Sequence, residues 1–228
     1  MDYEVKQTGN SRWVVSTQPD IHPNLVKVVE RHRLSDCRRP IAAHSQAAFD
    51  ELLEWIATFP DETPLILDSC CGVGQSTAHI AAMYPDAAVI GVDKSAVRLK
   101  RHHAYQVQQE NYQLFRADLH DLWRLMVKQQ LRLWRHFLLY PTPWPKPMHL
   151  QRRWYASNCF PALVELGGEF VLRSNWPLYL RECGVAFACY QIGSEMVQLE
   201  SVQPMTPFEQ KYQASGQSLW QLTANLNV

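Results

Sequence analysis

The stretch Leu65-Ile66-Leu67-Asp68-Ser69-Cys70-Cys71-Gly72-Val73-Gly74-Gln75 decides how this chain folds. Leu65-Ile66-Leu67 is a short all-apolar run, the pattern of a strand buried on both faces. Asp68 ends it, and a turn with two glycines, Gly72 and Gly74, leads into a helix expected from Gln75 to Tyr84 and stopped by Pro85. Glycines in such a turn let the backbone approach a ligand, and the helix N-terminus offers free N–H groups. Gly-x-Gly without a third glycine is not the full dinucleotide fingerprint. Taken alone, it is better read as a tight turn that needs φ > 0.

Outward from this turn, strands and helices alternate. Strands are expected at Ala88–Asp93, Tyr112–Ala117, Phe137–Tyr140 and Glu169–Leu172, and further ones at Met196–Val202 and Leu219–Ala224. Helices are expected at Ala42–Phe59, Ser95–Gln109, Asp121–Leu131 and Met148–Leu166, with a short one around Asn24–His32. Alternation with short connections predicts an α/β fold, a mostly parallel sheet with helices on both faces, which binds ligands beyond the carboxyl ends of its strands. Residues 1–41 carry little periodicity and read as an N-terminal extension to a domain over 42–228.

Two more acids line up with the turn. Asp93 ends the second strand, 19 residues after Gly74, where a carboxylate can accept both hydroxyls of a ribose. Asp118 ends the third strand, where an acid commonly meets an adenine edge. Each acid alone is more often a helix N-cap or a solvated turn residue. Together with Asp68 they suggest a nucleoside-bearing cofactor. No phosphate-binding lysine follows Gly74, which favours a cofactor without phosphates, and S-adenosylmethionine has that profile.

After the fourth strand comes Tyr140-Pro141-Thr142-Pro143-Trp144-Pro145-Lys146-Pro147. Prolines fix φ repeatedly and stiffen the loop. A polyproline-type connector has the same composition. Placed at a strand's carboxyl end, however, the loop reads as part of a site, with Trp144 to stack and Lys146 to meet phosphate or a base edge.

Asp68-x-x-x-Gly72-x-Gly74, Gly91-Val92-Asp93, the Pro-Thr-Pro-Trp-Pro-Lys loop with His149 and Arg152-Arg153, Ser174-Asn175-Trp176 and Thr206-Pro207-Phe208-Glu209-Gln210-Lys211 together closely resemble the bacterial tRNA (guanine-N7)-methyltransferase family. The resemblance implies a class I methyltransferase (Rossmann-like) fold with a seven-stranded sheet, and S-adenosylmethionine as cofactor. It implies that Asp68, Gly72, Gly74, Asp93 and Asp118 hold the cofactor. It places Thr142 at the catalytic position, and Trp144, Lys146, Arg152, Arg153, Asn175, Thr206 and Glu209 on the substrate side, with tRNA as partner. Two departures stand out. The family loop has an aspartate where this chain has Thr142, and the family's second acid is Asn175 here. Guanine N7 carries a lone pair and no proton, so methyl transfer to it needs positioning and electrostatics rather than a general base. The departures leave three outcomes open: guanine-N7 transfer, transfer to another nucleobase or a small molecule, or a non-catalytic RNA- or cofactor-binding homologue.

Composition narrows the classes further. No apolar run in the 228 residues approaches the ~20 residues of a membrane span. Met1–Val15 lacks the apolar core of a secretory signal, and the six cysteines form no CxxC pair. A cytoplasmic protein with reduced thiols, monomeric or homodimeric, is expected, and the scattered histidines argue against a metal site. Lys+Arg and Asp+Glu balance at 22 each. The charges cluster, though. Arg124, Lys128, Arg132, Arg135, Lys146, Arg152 and Arg153 fall in a stretch without acids, the first four at helical spacing. Lys94, Arg98, Lys100 and Arg101, beside His102 and His103, form a second basic run, and Arg31, Arg33, Arg38 and Arg39 a third. The charged residues of 50–68 are all acidic. Three basic runs favour a polyanion partner despite overall neutrality.

Overall fold

A computed structural model describes residues 9–102, 109–200 and 203–227. Seven strands, β1 (Leu65–Ser69), β2 (Ala88–Val92), β3 (Tyr112–Phe115), β4 (Arg135–Leu139), β5 (Glu169–Ser174), β6 (Ser194–Leu199) and β7 (Leu219–Asn225), form one sheet in the order β3-β2-β1-β4-β5-β7-β6. The first five run parallel. β7 pairs antiparallel with both β5 and β6. Among the described residues, eight α-helices accompany the strands: α1 (Leu25–Arg33), α2 (Ala43–Ile56), α3 (Gln75–Met83), α4 (Ala96–Leu99), α5 (Leu119–Lys128), α6 (Phe160–Glu165), α7 (Pro177–Ala188) and α8 (Pro207–Ala214).

Alternating side chains of the central strands feed two separate cores. Leu67, Ile90, Leu138 and Leu172 pack with residues of α1, α2, α5, α6 and α7. Ile66, Val89, Phe137 and Val171 pack on the other face with Ile80 and Ala81 of α3. The two-sided cover expected from the apolar strands is thus present.

Three expectations are corrected. The helix expected over Met148–Leu166 is two 3₁₀ turns, Pro147–Arg152 and Trp154–Ala156, followed by α6. Arg153 leaves helical geometry between them (φ −75°, ψ 137°) because its side chain turns inward. Pro161 then restarts the helix near its first position. The basic stripe expected on one helix face breaks as well. α5 ends at Lys128 and Gln130 turns at φ 58°, so Arg132 lies in a loop and Arg135 opens β4. The helix expected over Ser95–Gln109 is α4 within the described residues, and His103 lies outside them. The short helix expected around Asn24–His32 is present as α1 (Leu25–Arg33). Leu25, Val28 and Val29 of α1 belong to the larger core, and the Gly9 amide donates to the Ala214 carbonyl at 2.7 Å.

Among the described residues, no helix is long and apolar enough to cross a membrane, and no group of three or more His, Cys, Asp or Glu is placed to hold a metal ion. The cysteines are all unbridged.

Candidate functional site

Register places the expected site on one edge of the sheet. Ser69, Val92, Phe115, Leu138 and Leu172 stand in one row across β1, β2, β3, β4 and β5. The segments leaving those strands carry Asp93, Asp118, Thr142 and Asn175, with Asp68 just inside the row.

The glycine turn is shaped by its backbone. Cys70, Gly72 and Gly74 adopt φ of 62°, 63° and 76°. A Cβ on Gly74 would lie 2.5 Å from Leu114 Cδ1 and 2.6 Å from His102 Nδ1, whereas one on Gly72 would meet nothing within 4 Å. Gly74 is therefore required by both conformation and packing. Gly72 is required by conformation alone and faces open space. Its N–H donates to Asp93 Oδ2 at 3.1 Å. Asp93 Oδ1 accepts from the Ser95 amide at 2.7 Å, and Arg98 Nη1 lies 3.4 Å from Oδ2. Behind the turn, Asp68 is fully buried. Its Oδ2 accepts from Ser76 Oγ (2.6 Å) and Thr77 Oγ1 (2.7 Å), while Oδ1 has no partner among the described residues. Burial raises this carboxyl to about 6, with the neighbouring Asp93 adding to the rise against the two hydroxyl bonds. Burial likewise pushes the Cys70 thiol up to about 12 and raises Cys71, so both stay protonated and unreactive.

Asp118 takes the N-cap role weighed as its ordinary alternative. Oδ1 accepts from the His120 amide at 3.0 Å and faces His120 Nδ1 at 3.1 Å, while Oδ2 pairs with Arg39 at 3.0 Å. The hydrogen bond from the His120 ring, ahead of the one from its amide and the Arg39 contact, holds the carboxyl well below the usual range.

The proline-rich loop stands on the same edge. Tyr140 and Trp144 take φ of 50° and 48°, conformations few L-residues adopt without support. Thr142 is exposed and makes no side-chain hydrogen bond among the described residues. Lys146 and Arg152 are exposed too. The Arg152 guanidinium lies 4.8 Å from the Trp144 ring centre, and the His149 ring meets that indole edge-on at 5.4 Å.

Three residues expected on the substrate side are instead enclosed. Arg153 is 0% exposed, its guanidinium taken up by Glu182, by Gln18 Oε1 (3.0 Å) and by the Trp144 carbonyl (3.2 Å), so it is not placed to hold RNA. Glu209 is also 0% exposed. Its Oε1 accepts from Tyr140 (3.1 Å) and Arg173 (2.9 Å), and its Oε2 from the Met205 amide (2.8 Å). Thr206 caps α8 by accepting from the Glu209 amide at 3.0 Å. Asn175 is half-buried and donates to Gln217 Oε1 at 2.7 Å.

Sequence reasoning missed the strap over residues 11–22. Gln217 Nε2 donates to the Ser11 and Arg12 carbonyls at 3.0 and 3.3 Å, and Ser16 Oγ donates to the Pro145 carbonyl at 2.6 Å. The strap thus runs from the Asn175–Gln217 pair to the proline-rich loop. Gln18 and the His22 amide then dock on Glu182 at 2.7 Å each. Glu182, the lone acidic residue in α7, was the one available signal, a carboxylate in a helix otherwise apolar but for Arg181.

A family profile described as "Putative methyltransferase" matches residues 62–222. The tRNA (guanine-N(7)-)-methyltransferase of Paracoccus denitrificans is 30% identical over 162 residues, covering 67% of this chain and 68% of that protein. The enzyme of the same name from Sphingopyxis alaskensis is 25% identical over 211 residues, covering 80% and 88%. Among solved structures, the 16S rRNA methyltransferase KamB superposes with a TM-score of 0.56 at 14% identity, over 82% of this chain and 95% of that one, a likeness of fold. With the strand order, the open glycine turn and the proline-rich loop on one sheet edge, these matches establish that the chain belongs to the tRNA (guanine-N7)-methyltransferase family of S-adenosylmethionine-dependent enzymes, as a divergent member.

Proposed function

We propose that this chain transfers the methyl group of S-adenosylmethionine to N7 of a guanine in tRNA. The observation that carries the reading is the juxtaposition on one sheet edge of an open glycine turn and a proline-stiffened loop bearing Trp144 and Lys146, with Arg152 over the Trp144 ring. The residues present fit the cofactor. Asp68 keeps a buried oxygen without a partner, suited to a positive group, and Gly72 presents bare backbone to open space. Asp93 sits beside it, suited to ribose hydroxyls, and Asp118 holds the start of α5 on the adenine side. When bound, the cofactor supplies an electrophilic methyl on a sulfonium.

The chain's own contribution is positioning. Guanine N7 needs no proton removed, so the loop must bring its lone pair into line and exclude competing approaches. Thr142 and Asn175 can accept hydrogen bonds from the base, but as neutral groups, which makes their discrimination weaker than that of carboxylates. Asn175 already donates its amide to Gln217, which favours its oxygen facing the base. Lys146 and Arg152 are the exposed cations nearest the loop and meet RNA phosphate.

The second reading, an acceptor other than guanine, rests on that same loss of both acids. Nucleoside mass spectrometry of tRNA incubated with this protein and methyl-labelled cofactor decides between them. Labelled N7-methylguanosine is the expected product. Label in another nucleoside supports the second reading, and no label in any tRNA nucleoside refutes the first.

A further inference from the structure

We infer that Arg153, Glu182 and Gln18 form a positioning network that holds the proline-rich loop in its working shape and ties it to the N-terminal strap; this rests on the methyl-transfer reading above. Glu182 is 0% exposed and is the hub. Its Oε1 accepts from Gln18 Nε2 and from the His22 amide, both at 2.7 Å, and its Oε2 from Arg153 Nη1 and Tyr155 Oη. Arg153, also 0% exposed, spends its remaining donors on Gln18 Oε1 and the Trp144 carbonyl, and its guanidinium lies 5.1 Å from the Trp176 ring centre.

Three features argue that this cluster does more than hold the fold. A buried ion pair is a poor stabiliser, since apolar residues of like volume often do as well or better. Its placement is informative too. Trp144 and Trp176 flank the two positions expected to face the acceptor base, Thr142 and Asn175, and the network touches both tryptophans. Trp144, moreover, holds φ 48°, a conformation that persists only when its surroundings over-determine it. Arg153 on the Trp144 carbonyl and Ser16 on the next carbonyl supply that determination. Removing the network frees the loop, and the acceptor base loses its alignment while the cofactor side, built on β1 and β2, keeps its own.

The test uses the full chain with Gln18→Ala and, separately, Glu182→Gln. Gln18→Ala leaves the Arg153–Glu182 pair in place and so keeps the fold. Hydrogen–deuterium exchange should rise across residues 142–149 and stay unchanged in β1. S-adenosylmethionine affinity should stay within about twofold, and transfer to tRNA should fall about 10- to 100-fold in kcat/KM, the cost of misplacing a reacting group by about 1 Å. Glu182→Gln should show the same pattern more strongly. Unchanged exchange in 142–149 would overturn the inference, as would freed exchange with full transfer rates. If the wild-type chain methylates no tRNA, the guanine-N7 reading fails, and the exchange measurement still decides whether the network holds the loop.

Discussion

Replacing Asp68 with asparagine should make the ligand-free protein more stable at neutral pH and less able to bind its cofactor. Asp68 is fully buried and its carboxyl is raised from 3.8 to about 6. A group that titrates higher in the folded state than in the unfolded state favours folding only while protonated. Its contribution is therefore complete below about pH 4, is lost as pH rises from 4 to about 6, and stays lost above. At 1.36 kcal/mol per pH unit the loss is about 3 kcal/mol. Asparagine carries no charge and keeps an oxygen for Ser76 and Thr77, but it points an amide N–H₂ where Oδ1 now lacks a partner, returning about 1–3 kcal/mol of the gain. A net gain of about 1 kcal/mol corresponds to about 2–4 °C in Tm for a domain of this size. The assay is thermal unfolding of both proteins from pH 4 to pH 8. The Tm difference, Asp68→Asn minus wild type, should grow between pH 4 and 6 and then level off. Calorimetric titration should show S-adenosylmethionine binding weakened about 10- to 100-fold, because the charged carboxylate is what a sulfonium cation favours. A Tm difference independent of pH would refute the claim that Asp68 is ionised at a cost. Cofactor affinity equal to wild type would refute the claim that the cost serves binding.

Three further outcomes follow from the same geometry. Gly72→Ala meets no atom within 4 Å, so its folding cost should be only the about 1–2 kcal/mol of a left-handed alanine, yet calorimetry should find cofactor binding lost because the methyl enters the open cradle. Thr142→Asp places a carboxylate at an exposed position and should raise guanine-N7 transfer about five- to tenfold, the gain of a charge-assisted over a neutral hydrogen bond; an unchanged rate would argue against Thr142 facing the base. tRNA affinity measured against salt should fall with a shallow log–log slope of about −2 to −3, corresponding to three or so phosphate contacts, and a slope steeper than about −6 would show a basic footprint larger than the exposed cations at the loop provide.

The parts of the fold that were legible in the sequence are those whose cause is local. Leu65-Ile66-Leu67 is apolar because β1 is buried on both faces. The glycines fall where the backbone needs φ > 0, and the acids fall at strand ends. Local signals failed where tertiary contacts override them. Met148–Leu166 has helical periodicity, but Arg153 breaks the run to reach Glu182, 29 residues away, and Gln18, 135 residues away. α7 went unread because its apolar residues lie all round the helix, as expected for one packed against sheet and helices alike, which leaves no amphipathic stripe. The basic run makes Arg153 look like an RNA contact and the family resemblance places Glu209 on the substrate side, yet both are enclosed. A charged residue in a sequence looks like a solvent or ligand contact, and its burial against an opposite charge depends on partners that no spacing rule identifies.

The balance of 22 basic and 22 acidic residues takes on a different meaning once the pairs are placed. An acidic stretch and a basic face on separate surfaces would cancel only at a distance. Here four pairs frame the candidate site: Arg153 with Glu182, Arg173 with Glu209, Arg98 with Asp93 and Arg39 with Asp118. The first two pairs have a fully enclosed carboxylate each and fix the loop and α8 in place. The Arg98–Asp93 contact is different. Arg98 is 52% exposed and its nitrogen lies 3.4 Å from Asp93. An ion pair of that kind contributes about 0–1 kcal/mol, so ribose hydroxyls can displace it at small cost. Pairing thus separates closed pairs beside the proline-rich loop from a loose pair at the glycine turn, while Lys146 and Arg152 at the loop are exposed and make no ion pair among the described residues. On the proposed function, the neutral groups at Thr142 and Asn175 leave recognition of the base to shape rather than to field strength, so transfer should depend on the conformation of the proline-rich loop.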